Sequence, residues 1–494
     1  MKHWFKSCVQ KFRFSYLPFH RSLSKFYKMF FWTSALLLKQ ERLKQAETKL
    51  LQLAREFGDR NAYEYKISTL DTLIPRAVIP FRNKDANNNE YLTIHAVKVE
   101  SINGSSDDKL TTRTPLVMMH GYMNAAAYFY RNLVGLTHYF ETVYSLDMLG
   151  WGLSSRPDFD LQLTAGGNDE ASREKDEIKV AESFFVESLE AWRSKNKIDK
   201  MILAGHSMGG YMSVAYCEKY PQHVERLILL SPVGVPEESP DVLQRREAMR
   251  KSSWKVWAMT GVAQNIFQYH SAGQVFRSMP ISWGENMCLN YVQKRLPAIS
   301  DPDEQTAVAE YLIANNTLPG SGEHCINKVL TPFAMAKSPL EFRIPHLRVP
   351  SITFLYGQHD WMDPRGGVTV QSKCQSEQQP VNEQAILPKD VSVYQISKAG
   401  HLLMLENWRE FNTAVILGGG GSLECLPGRT VVPEQLNPLD FVSDQSSSAQ
   451  PQRSESQEEQ RTSISQPSLK PQLSRTASLS DASTASNTEP QMAN

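Results

Sequence analysis

A serine, an aspartate and a histidine whose neighbours could make them an acyl-transfer set follow one another along the chain. They are Ser207, Asp360 and His401. Ser207 is the centre of Gly205-His206-Ser207-Met208-Gly209, a Gly-x-Ser-x-Gly pentapeptide. Such a serine attacks an ester carbonyl when a histidine takes its proton and a carboxylate holds the imidazole in the right tautomer. His401, in Gly400-His401, is the candidate base. Asp360 is the candidate acid, with Asp363 as its rival, because Asp360-Trp361-Met362-Asp363 presents both carboxylates from one loop. Asp360 is preferred because it stands nearer the end of the preceding strand. The other reading of Asp363 is a turn residue before Pro364.

That chemistry requires a strand, a sharp turn and a helix at the serine. Met201-Ile202-Leu203-Ala204 is short and apolar, as a buried parallel strand should be. The helix-patterned run Gly210–Cys217 follows the pentapeptide. Glycines two before and two after the serine remove the Cβ atoms that would clash in so tight a turn. The helix start behind Ser207 offers free N–H groups and positive potential where an oxyanion forms. Pro350–Tyr356 reads as a strand leading to Asp360, and Val391–Ile396 as one leading to His401. A further strand, Leu116–Met119, runs into His120-Gly121-Tyr122. The backbone N–H groups of Tyr122 and Met208 are the expected oxyanion donors, each worth ~3 kcal/mol of transition-state stabilisation. His120, His206 and His359 are read as local hydrogen-bonding residues, and Asp147 as a carboxylate bracing the loop after its strand. No metal constellation or phosphate-binding glycine loop occurs, so no cofactor is expected.

The 494 residues carry 53 basic and 53 acidic side chains. A net charge of zero implies no bulk attraction to nucleic acid. The six cysteines lack paired spacing, which fits reduced thiols rather than a disulfide framework or a zinc site. Charge is nevertheless uneven. Residues 1–40 hold eight Lys/Arg and no Asp or Glu. Residues 1–29 therefore read as a transit-like leader, a secretory signal being the alternative. From residue 30 to 60 an amphipathic helix is expected, its Phe30-Phe31-Trp32 start suited to a lipid interface and its leucines equally suited to the protein's own core.

The residues after the leader predict an α/β fold: a mostly parallel sheet flanked by helices over 90–234 and 350–417. Residues 235–349 are expected to form an inserted helical cap, aromatic and Met-rich, that either packs or lines an acyl pocket. Residues 418–494 read as a disordered Ser/Gln-rich tail; from 443 on it has fourteen serines and no aromatic. Arg453-x-x-Ser456 and Arg475-x-x-Ser478 are short basophilic-kinase patterns within it.

Several of these runs resemble one branch of the α/β hydrolases. They are Gly205–Tyr211, Tyr220-Pro221 with the strand after it, Phe184–Arg193, Gln45-Ala46-Glu47 after Phe31-Trp32, and Tyr356–Asp363. The branch holds fungal cardiolipin-specific deacylases, plant lysophospholipid-metabolising hydrolases and the animal lipid-droplet lipase coactivator. The resemblance spans residues 30–415. It implies a serine hydrolase, peripheral on a membrane, that releases fatty acids from a phospholipid; with the basic leader, the substrate expected is cardiolipin, on the matrix side of the mitochondrial inner membrane. A lipid droplet or cytosolic membrane surface is the alternative location. Acyl-CoA-dependent acylation of lysophosphatidic acid and a non-catalytic lipase-activating scaffold are the alternative functions. The branch's His-x4-Asp motif reads here His401…Glu406, and its glycine-rich oxyanion loop reads Met123-Asn124-Ala125.

Overall fold

The computed structural model describes residues 19–58, 64–79, 90–102, 111–159, 169–237, 271–331, 335–376, 390–425 and 431–438. The leader up to residue 18, the cap residues 238–270 and the tail from 439, with both kinase patterns, lie outside them. Nine strands form one sheet in the order β1-β2-β4-β3-β5-β6-β7-β8-β9. The strands are β1 (Tyr65–Pro75), β2 (Tyr91–Ser101), β3 (Leu116–Met119), β4 (Thr142–Leu146), β5 (Met201–His206), β6 (Val224–Leu230), β7 (Ser351–Gly357), β8 (Asp390–Ile396) and β9 (Glu434–Leu436). From β4 to β8 every pairing is parallel, and β1, β2 and β9 add antiparallel edges.

The central strands are buried along their whole length, β3, β5 and β7 at every residue. Burial on both faces explains why they read as unbroken apolar runs instead of alternating ones. Two strands fall outside the expected core. β1 begins at Tyr65, and β9 pairs with β8 inside the stretch assigned to the tail. β1 is mostly half-exposed and polar, and β9 is three residues long, so neither has a strong apolar signal.

Among the described helices, α1 (Phe19–Ala54) packs its second half on the core. Leu43, Ala46, Leu50 and Ala54 are buried at helical spacing, so this half takes the own-core alternative. No helix among the described residues is long and apolar enough to cross a membrane. Helix α2 (Tyr130–Leu136) follows β3, and α3 (Glu170–Lys195) precedes β5 with Ile178, Phe184, Phe185, Leu189 and Trp192 buried. Helix α4 (Met208–Lys219) starts at the nucleophile turn. The described part of the insertion is helical: α5 (Ala272–Ser278), α6 (Ile281–Arg295), α7 (Pro302–Asn316) and α8 (Ile326–Val329). Then come α9 (Arg365–Ser376), α10 (Leu403–Glu406) and α11 (Trp408–Gly418). Cys217, Cys288, Cys325, Cys374 and Cys425 are all free thiols.

Candidate active site

Ser207 sits between β5 and α4 with φ 53° and ψ −115°, a left-handed conformation that a non-glycine residue adopts only under constraint. The constraint is visible on both sides. Its N–H donates to Leu230 O at 2.9 Å, and its carbonyl accepts from Gly210 and Val233. A methyl group on Gly205 would come within 2.4 Å of Gly209 O, and one on Gly209 within 2.6 Å of His120 O. Glycine is therefore required at both places for strand, turn and helix to close up.

His401 Nε2 lies 3.1 Å from Ser207 Oγ, and its Nδ1 lies 3.0 Å from Asp360 Oδ1. The three side chains come from loops after β5, β7 and β8, joined at the carboxyl edge of the sheet. The Asp360 side chain is fully buried. Burial pushes its carboxyl up, but the hydrogen bond and charge of His401 and the Met362 N–H outweigh it and hold the acid below its ordinary value. The carboxylate thus stays ionised beside the imidazole, as a tautomer-fixing acid must. Asp363 points elsewhere: it is partly exposed and chelates the Arg365 guanidinium at 2.5 Å. The indole of Trp361 lies against the His401 ring, centroids 5.1 Å apart, and is 62% exposed.

The other histidines take local roles. His206 is buried, its ring 4.9 Å from that of His401, and its Nε2–H donates to His401 O at 2.9 Å. Burial and the neighbouring His401 push it down to about 3, so it stays neutral. His120 donates from Nδ1 to Gly121 O and accepts the Met148 N–H at Nε2; burial pushes it down to about 4. The His359 N–H donates to Ala399 O, tying the Asp360 loop to the His401 loop.

Glu406 ends α10, and its carboxylate accepts the N–H groups of Gly400 at 2.9 Å and Leu402 at 3.2 Å. It therefore clamps the backbone on both sides of His401. A carboxylate five residues on from the base is explained here by bracing alone.

Tyr122 lies on the turn after β3, its ring edge-on to Trp151. Met208 is the first residue of α4, where the N–H has no intrahelical acceptor. A methyl group on Gly121 would lie 3.1 Å from Ser207 Cβ, so only glycine lets this loop approach the nucleophile. The next residue but one, Met123, has φ 63°, a backbone conformation that favours glycine. Two asparagines of α7, which sequence reasoning did not single out, hold it there. Asn315 Nδ2 donates to Met123 O at 3.2 Å and Asn124 O at 3.1 Å, and Asn316 Nδ2 donates to Met123 O at 2.9 Å. Asn315 Oδ1 accepts from Gly152 N and Arg156. Only their contact across 191 to 193 residues reveals the role; buried asparagines on an apolar helix are the sequence trace.

Asp147 is buried and braces two loops, accepting Ala126 N at 2.6 Å and Leu153 N at 2.7 Å. Glu47 of α1, His95 of β2 and Asp147 bring ligand-type atoms within 4.8 Å of one another. Both ring nitrogens of His95 are already held, Nδ1 by Asp71 at 2.6 Å and Nε2 by Glu47 at 3.1 Å. Burial opposes charging the ring, but these carboxylates raise it to about 11. Through His95 the cluster latches α1 to the sheet.

The sequence profile of the alpha/beta hydrolase fold matches residues 114–407. A rice (Oryza sativa subsp. japonica) protein named "Probable 1-acylglycerol-3-phosphate O-acyltransferase" is 28% identical over 319 residues, 64% of this chain and 69% of its own. Protein ECM18 of Saccharomyces cerevisiae is 26% identical over 335 residues, 63% of this chain and 72% of its own. The 1-acylglycerol-3-phosphate O-acyltransferase ABHD5 of Rattus norvegicus is 30% identical over 310 residues, 62% of this chain and 77% of its own.

Proposed function

Since the chain belongs to the alpha/beta hydrolase fold family, we propose that it is a serine carboxylic-ester hydrolase that removes a fatty acid from a membrane phospholipid. The observation that carries this reading is the hydrogen-bonded series Ser207–His401–Asp360. His401 Nε2 takes the hydroxyl proton as Ser207 Oγ bonds to the acyl carbonyl carbon. The oxyanion rests on the N–H groups of Met208 and Tyr122. His401 then passes its proton to the departing glycerol oxygen, leaving an acyl-enzyme. Water, deprotonated by His401, displaces the acyl group as fatty acid and restores the serine.

Cardiolipin is the substrate we favour, converted to monolysocardiolipin. Support comes from the resemblance to the cardiolipin-specific deacylases and from the acid-free basic start of the chain, which also supports the matrix side of the mitochondrial inner membrane as its location. Incubating purified protein with cardiolipin, phosphatidylcholine and phosphatidylglycerol tests the choice. Acyl release from the others but not from cardiolipin refutes it. Expression with a fluorescent tag tests the location, and a signal confined to lipid droplets refutes the mitochondrial assignment.

A second reading is supported by the names of the rice and rat relatives. In it, acyl-CoA acylates Ser207, the thiol leaves with the His401 proton, and the free hydroxyl of a lysophosphatidic acid replaces water. Labelled acyl-CoA with and without acceptor separates transfer from hydrolysis. A lipase-activating scaffold without catalysis is the third reading; a serine already hydrogen-bonded to its base supports the catalytic readings over it. Labelling of wild type by a fluorophosphonate, absent in Ser207→Ala, is the expected result. No labelling of either protein leaves the scaffold standing.

A further inference from the structure

Helix α6 has two contrasting faces. Gly284, Cys288 and Val292 are buried against the fold. On the adjoining side, one residue earlier in each turn, Trp283, Met287 and Tyr291 recur every four residues and are exposed, Trp283 by 66%. Large apolar side chains lined up on a solvent-facing helix stripe mark an interaction surface. The buried side of α6 joins the fold near the His401 loop, Cys288 and Val292 sharing one buried cluster with Leu402, Leu403 and Leu405. Trp361, also exposed, lies against His401 itself.

Charge selects the partner. Lys294 continues the stripe one turn beyond Tyr291, and Arg295 follows it, both exposed. The sole acid of α6, Glu285, sits off the stripe and is paired with Arg42 of α1 at 2.6 Å. A protein partner with an apolar stripe of its own needs no cations there. A surface with an apolar interior and anionic headgroups needs both parts, with aromatic rings at the boundary and lysine at headgroup level.

We propose that the Trp283–Met287–Tyr291–Lys294 stripe of α6 docks on an anionic phospholipid surface and holds the helical insertion against it. The docking deepens the phospholipid reading and rests on it. It does not involve the leader, because every residue of the stripe lies in the insertion.

The test uses the full chain and co-sedimentation with vesicles of phosphatidylcholine alone or with one-fifth cardiolipin or phosphatidic acid. Trp283→Ser/Met287→Ser is expected to weaken binding about tenfold or more on anionic vesicles, since two large apolar side chains leave the interface. Lys294→Gln is expected to weaken it about fivefold, and added salt should erase that difference. Leu73→Ser, at an exposed site on β1, is the control and should change nothing. Turnover of a soluble p-nitrophenyl ester should be equal in all four proteins, which also shows that they fold. The proposal is overturned if the double variant binds vesicles like wild type. It is equally overturned if wild type is a dimer that the double variant converts to monomer with vesicle binding unchanged, the stripe then being covered by a second copy. Wild type that binds through the stripe yet releases no fatty acid refutes the hydrolase reading and leaves the docking intact.

Discussion

Removing the donors of Asn315 is the sharpest test of how the oxyanion loop is held. Asn315→Asp is nearly isosteric and keeps an acceptor for Gly152 N and Arg156, so the packing around α7 is retained. It deletes the two hydrogen bonds, 3.2 and 3.1 Å long, that reach Met123 O and Asn124 O. Each is worth about 1 kcal/mol, and carbonyl oxygens facing a carboxylate add to the loss. Working against the retained bond from Asn316 is the left-handed Met123, whose conformation costs roughly 1–2 kcal/mol. Losing about 2–3 kcal/mol of bracing lets the loop leave its catalytic position and lowers kcat about 30- to 160-fold. The ceiling is the loss of one oxyanion donor, about 10²- to 10³-fold. KM for a soluble ester should hardly move, because the loop acts on the charge developed in the transition state. Adding Met123→Gly relieves the strain and should return about fivefold of the rate. The assay is steady-state hydrolysis of a p-nitrophenyl ester with a melting curve for each variant. If kcat stays within twofold of wild type while the protein is folded, the brace does not hold the oxyanion loop and the reasoning fails.

Three further outcomes are expected. Asp360→Asn should lower kcat by about 10⁴-fold through the wrong His401 tautomer, whereas Asp363→Asn should leave it within a fewfold; the reverse order in the same assay makes Asp363 the acid. Glu406→Ala should slow hydrolysis and any acyl transfer by the same factor, about tenfold, because both reactions use the His401 that it braces; loss of transfer alone would falsify a bracing role. His95 is raised in the folded protein to about 11 from an ordinary 6.5, so its latch contributes fully below pH 6.5 and is lost as pH rises toward 11. The melting temperature of wild type should fall from pH 7 to pH 10, while His95→Gln, about 3–5 kcal/mol less stable at pH 7, should show a flatter profile; parallel profiles count against the latch.

Much of the fold was legible because buried parallel strands read as short apolar runs between turn residues. β3 and β5 start at the residues read from the sequence, and β7 and β8 start within one residue of theirs. The strands that escaped notice are edge strands. β1 is half-exposed, and β9 is too short to show a pattern; such segments join a sheet through backbone hydrogen bonds, which leave little mark on side-chain type. Helix α1 was ambiguous because leucines at helical spacing serve a membrane and a protein core equally, and Leu43 and Leu50 settled against the core.

At the site, the sequence by itself determined Ser207, its two glycines and the serine–acid–histidine order. A turn so tight accepts few residue types, so local chemistry is written in local letters. Asp360 and Asp363 stand three residues apart on one loop, and no local rule says which carboxylate turns inward. The tertiary structure decided it by burying Asp360 against His401 and giving Asp363 to Arg365. The left-handed Met123 was likewise opaque: its strain is held by Asn315 and Asn316, which chain distance hides and folding brings into contact. Interactions between neighbours in the chain can be read from residue types, but those between distant residues depend on where the packed elements place them.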